Sequence, residues 1–64
     1  MESVKTIKKA IELLKQRNQM LEASKIRAMH DRKLTLVGNI QKMINQNTSM
    51  ILDFEFRISE MEHK

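Results

Sequence analysis

Four serines (Ser3, Ser24, Ser49 and Ser59) and two histidines (His30 and His63) are the groups of this chain closest to covalent or acid–base chemistry. A serine becomes a nucleophile only beside a base that takes its proton, on a turn that exposes it. At helical spacing Ser59 has such neighbours in Glu62 and His63, at the far end of the chain, and no glycine-rich turn precedes any of the four. Glu60 and His63 keep the Glu-x-x-His spacing of di-iron helical bundles, where both side chains must project into the bundle with further glutamates opposite. His30-Asp31 has the composition of a ligand pair or a pH-sensitive pair. Its expected role is plainer, with Asp31 capping a following helix and His30 in solvent. Asn47-Thr48-Ser49 matches a glycosylation acceptor, which carries meaning only in a secreted chain. No catalytic residue, metal or cofactor is expected from these groups.

The elements that would have to position them are clearer than the chemistry. Apolar residues recur at alternating three- and four-residue spacing in each half of the chain. The first ladder is Val4, Ile7, Ile11, Leu14, Asn18 and Leu21; the second is Val37, Ile40, Ile44, Asn47, Ile51, Phe54, Ile58 and Met61. Both follow the a/d pattern of a helix that packs along one narrow seam. Read in opposite directions, the ladders pair at residue numbers that sum to 65: Val4 with Met61, Ile7 with Ile58, Ile11 with Phe54, Leu14 with Ile51, Asn18 with Asn47, and Leu21 with Ile44. Each a position then meets a d position, as antiparallel packing requires. The only two asparagines of the ladders meet each other, which fits a device that fixes register at some cost in stability. Glu60 and His63 fall on c and f positions, away from this seam.

Composition narrows the class further. The chain has 64 residues, no proline, no cysteine and one glycine. Long helices are permitted, sheet hairpins have almost no turn residues to use, and disulfides and thiolate metal sites are excluded. A chain this short lies near the lower limit for folding on its own core, which leaves oligomerisation as the available reinforcement. Leu34-Thr35-Leu36-Val37 is the most apolar run, far short of the roughly 20 residues needed to span a bilayer, and no signal-peptide pattern is present. A soluble, intracellular protein is expected.

Charge is uneven. Residues 1–33 carry nine basic and four acidic groups, and residues 34–64 carry three and four, within a net charge of +4. That asymmetry points either to an anionic partner or to halves that attract each other. Lys5, Lys9 and Arg27 project away from the seam and form the candidate nucleic-acid contact, through phosphates and without base stacking, since Phe54 and Phe56 are the only aromatics.

An all-α, coiled-coil-like helical hairpin within one module, residues 1–64, is therefore expected. Its arms would cover about 3–29 and 36–62, with a turn at about 30–35. Beyond Leu21 the next a positions are Lys25 and Arg32, so the first seam is expected to lose register by residue 25, with Ile26 and Met29 carrying a shifted stripe for one turn. The alternative is long continuous helices in an antiparallel coiled coil, since Val4 to Val37 equals three 11-residue repeats. In the hairpin, e positions of opposite sign meet, Lys8 and Lys15 against Glu55 and Glu62, and should seal one side. The g positions are small or apolar, with Ser3, Ala10 and Ser24 on the first arm and Leu36, Met43 and Met50 on the second, leaving only Arg17 and Arg57 charged, and they widen the seam to the breadth of a bundle helix. Two hairpins should then meet through their g sides as a four-helix bundle. That layout is similar in size and plan to the small Rop-type RNA-binding dimers, with no residue motif in common.

The expected function is a non-enzymatic oligomerisation or adaptor module. Ile7, Ile11, Leu14, Leu21, Ile44, Ile51, Phe54 and Ile58 would carry assembly, Asn18 and Asn47 its register, and Leu36, Met43 and Met50 the second interface. Leu13, Met20, Leu52 and Phe56 lie outside the seam and are available to a protein partner. The six methionines are expected mainly at the interface.

Overall fold

The structure is a computed structural model that describes residues 3–63; Met1, Glu2 and Lys64, counted above among the methionines and charges, lie outside the described residues. Two helices, α1 (Val4–His30) and α2 (Leu34–Glu62), run side by side in opposite directions. The pair measures 50 × 16 × 14 Å. One continuous helix of this length would extend about 90 Å, so the hairpin is the form the chain takes and the long-rod alternative is excluded.

Helix α1 starts where the sequence marks it. Ser3 has extended backbone angles and its hydroxyl accepts a hydrogen bond from the Thr6 amide at 3.2 Å. This satisfies one of the amides that the first helical turn leaves unpaired. The Ser3 carbonyl then accepts the first helical bond, from the Ile7 amide at 3.0 Å.

The reversal is tighter than the sequence indicates, occupying only residues 31–33. The Arg32 amide bonds the Met29 carbonyl at 3.1 Å and the Lys33 amide bonds the Ala28 carbonyl at 2.9 Å. Together these bonds form a Schellman motif, which consumes two carbonyls that the helix end would otherwise leave bare. Asp31 is thus the C-cap of α1 and not the N-cap of α2. Lys33 occupies the N-cap of α2 and makes no side-chain capping bond. The motif requires one residue in the left-handed region, and Arg32 supplies it at φ 57°. Glycine would hold that angle without the Cβ clash.

The one glycine of the chain, Gly38, lies instead inside α2 with negative φ, and a Cβ added there would meet nothing within 4 Å. The double variant Arg32→Gly, Gly38→Ala should therefore stabilise the hairpin by about 1–2 kcal/mol, summing relief at the turn and the helix propensity of alanine. Thermal unfolding checks this; no gain from Gly38→Ala alone would mean that the start of α2 is not helical in solution.

The core is one line of side chains between the helices, in two clusters. Ile7, Ile11, Leu14 and Ile51 form the first, with Phe54 and Ile58 packed against it. Ala28, Ile40 and Ile44 form the second, near the turn, with Leu21 and Val37 against it. Asn18 and Asn47 stand between them. The seam does not lose register at residue 25. Ala28 is the next d position in the same heptad, pairs with Val37 at the same sum of 65, and is only 3% exposed. Its small side chain packs with Ile40 and Ile44 next to the turn. Ile26 and Met29, expected to carry a shifted stripe, are each 55% exposed and do not. At the open end, Met61 remains 39% exposed opposite half-buried Val4, so the last rung is looser than its pairing implies.

Candidate interface along the helix pair

The middle of the seam is polar and satisfied. The Asn47 Nδ2 donates to the Asn18 Oδ1 at 3.0 Å, and the Asn18 Nδ2 lies 3.4 Å from the Thr48 hydroxyl oxygen, to which it donates. Both asparagines are half-buried, where an amide without a partner would carry a desolvation penalty. A slip of one heptad would set Asn18 against Ile40 or Phe54 and leave its amide facing hydrocarbon. The pairing inferred from residue numbers is therefore made by direct contact.

Lys25, an a position that looks unsuited to a core, is accommodated by its length. It is half-buried, and its ammonium donates to the Gln41 Oε1 on the neighbouring helix. The Gln41 Nε2 in turn donates to the Asn45 Oδ1 at 2.9 Å. The methylene stem covers the seam while the charge leaves it sideways.

The two flanks of the seam differ. On the e side, Lys8 and Lys15 of α1 line a groove with Glu55 and Glu62 of α2, over a volume of about 720 Å³ floored by Ile11 and Ile58. Opposite charges do face each other there, but the groove is open and the charges are solvent-exposed. The expected sealing of this side is not what the structure has: long side chains ordered at a wet surface gain little from pairing. Glu12 and His63 line the same groove, while Glu60 stands exposed outside it.

On the g side a second groove of about 400 Å³ opens near the turn, with Leu21, Ala28 and Ile40 at its floor and Leu36 and Met43 at its wall. Leu36, Met43 and Met50 recur one heptad apart on α2 and are each 43–44% exposed. Facing them on α1 are the small residues Ala10 and Ser24, with Arg17 between. Leu13 and Met20, on c positions next to this row, are also exposed. An apolar strip of residues one heptad apart therefore continues outward from the seam on this side.

The basic residues singled out by charge are all exposed. Lys5 and Lys9 are one turn apart, but Arg27 stands 18 residues beyond Lys9, about 27 Å along the axis. Leu13 and Met20 occupy the helix between them. On α2, Leu52 and Phe56 are exposed one turn apart on the outer face. The Arg57 guanidinium lies 5.6 Å from the Phe54 ring centroid, a cation–π contact that covers the partly buried ring from outside.

Sequence reading missed Ala28 and the Lys25–Gln41 link. The signal for the first is present in the spacing, since residue 28 continues the heptad unbroken, but an alanine gives little hydrophobic signal by type. The second was not legible, because only the neighbouring helix shows where the ammonium can go.

Fold and seam together define an antiparallel helical hairpin closed by an a/d core with a polar centre. No helix is long and apolar enough to cross a membrane among the described residues. Comparison with protein-family models, with curated proteins and with solved structures finds no match.

Proposed function

We propose that this chain is a non-enzymatic oligomerisation and adaptor module, in which two hairpins meet through their g sides as a four-helix bundle. The observation that carries the reading is the balance of apolar surface. Among the described residues seven apolar side chains are buried, none of the large ones below 2% exposure, while eleven large apolar side chains stand exposed. A core of one line of side chains is thin for a chain of 64 residues. Covering Leu36, Met43 and Met50 would give each helix the broader apolar face of a bundle helix. The outer pair Leu52 and Phe56 remains available to a protein partner, as an adaptor needs.

Sedimentation equilibrium tests the first step. The parent chain should sediment at about twice its 7.6 kDa mass, and its unfolding temperature should rise with concentration because folding and association are linked. Met43→Glu with Met50→Glu should abolish the dimer and the concentration dependence together. A parent chain that stays monomeric at millimolar concentration, with a fixed melting temperature, would remove the proposal.

A second reading rests on the charge of α1, which carries seven basic and two acidic residues, with Lys5, Lys9 and Arg27 exposed. Such a helix could hold nucleic-acid phosphates by counterion release. On that reading, duplex binding should weaken steeply with salt and disappear when the three are neutralised. The carboxylates of Glu12, Glu55 and Glu62 beside Lys8 and Lys15 oppose phosphate on that flank, which is why assembly is preferred.

A further inference from the structure

Building on the proposed self-association, we infer which way round the second copy docks: its turn lies at the same end, so that α1 of each protomer runs along α2 of the other. Two hairpins that bury their g sides can close with a two-fold axis in only two ways. With the axis along the hairpin, the turns coincide and unlike helices face each other. With the axis across it, the turns lie at opposite ends and each helix faces its own copy.

Side-chain size separates the two. The g row of α2 is large, with Leu36, Met43, Met50 and Arg57, and the g row of α1 is small at Ala10 and Ser24 with Arg17 between them. Because rungs pair at a sum of 65, every position has a height along the hairpin. In the same-end arrangement Met43 falls between the heights of Arg17 and Ser24, and Met50 between those of Ala10 and Arg17. Met43 then lies nearest Ser24, where a small side chain leaves room for it, and Met50 lies beside the methylene stem of Arg17. In the opposite-end arrangement the methionine row meets itself and the row of Ala10, Arg17 and Ser24 meets itself, so one contact is crowded and the other sets Arg17 near its own copy.

Charge favours the same choice independently. Helix α1 has seven basic and two acidic residues, and α2 has two basic and four acidic residues. Facing unlike helices sets +5 beside −2 at both contacts and moves the two basic helices to the diagonal. Facing like helices sets +5 beside +5 at the bundle spacing of about 8–10 Å, near one Debye length at physiological salt, where repulsion is only partly screened.

The test is the distance between two spin labels in the symmetric dimer, each attached at Asp31→Cys on the exposed turn. Dipolar spectroscopy on protein confirmed as helical and dimeric should give a separation within roughly 20 Å, two helix spacings. Thr35→Cys, exposed in the first turn of α2, repeats the measurement if the Asp31 variant loses helix. A separation near the 50 Å long dimension of the hairpin would overturn the orientation and leave self-association standing. A labelled, folded chain that is monomeric would overturn both.

Discussion

Ile44→Ala should destabilise the protein by about 2–4 kcal/mol, the loss expected when a buried aliphatic side chain is truncated and its cavity only partly refills. Ile44 is buried in the cluster with Ala28 and Ile40, and no third layer of structure stands behind it to close the gap. A chain of this size is expected to hold only about 3–10 kcal/mol in total. The melting temperature should therefore fall by about 10–25 °C, and at the lower end of the stability range the helices would no longer form. Leu52→Ala removes as many atoms from an exposed site on the same helix and should change stability by no more than about 0.5 kcal/mol. Comparable losses for the two variants would mean that α2 packs on a different face from the one described.

Changing the asparagine pair should act in the opposite direction, and non-additively. Asn47→Leu alone leaves the Asn18 Oδ1 without the donor that now lies 3.0 Å away, at a cost of about 1–3 kcal/mol. Asn18→Leu and Asn47→Leu together remove both amides and extend the hydrocarbon seam from one cluster to the other. Burying two leucines there should raise stability by about 2–4 kcal/mol above the parent. The double-mutant cycle isolates the coupling, because each single variant breaks the same bond. If the pair fixes register, the stabilised variant should also sediment as several species, since a continuous apolar seam no longer penalises a slip of one heptad. A double variant that is more stable and still a single species would leave the asparagines as a tolerated polar contact.

How much of this was legible depends on how far each residue acts through local spacing. The helices, their antiparallel pairing and the Asn18–Asn47 contact follow from a repeat that any reader of the sequence can count, because a helix places residues three and four apart on one face whatever lies opposite. The first seam continues past residue 25, where the sequence predicts its end, for a physical reason. Lys25 and Arg32 look like poor core residues by type, yet the d position between them, Ala28, is buried against Ile40 and Ile44. At residue 25 the ammonium reaches Gln41 on the neighbouring helix and is hydrogen-bonded there. The e-side charges have the opposite signs the sequence predicts, but opposite signs across an open groove do not close it.

The turn marks the boundary between the two kinds of knowledge. Sequence placed it between Met29 and Leu36 but offered no glycine to mark its left-handed residue, and Asp31 looked like the start of a helix. Only the folded backbone shows that the carbonyls of Ala28 and Met29 reach forward to Lys33 and Arg32, drawing an arginine into a conformation that its side chain alone does not favour. The sequence by itself thus determined which faces of two helices must meet, and in which direction, because that information is periodic and local. Which residues those faces bury, how wide each flank stands open and where the chain turns were decided by the tertiary structure, because they depend on distances between segments far apart in the chain.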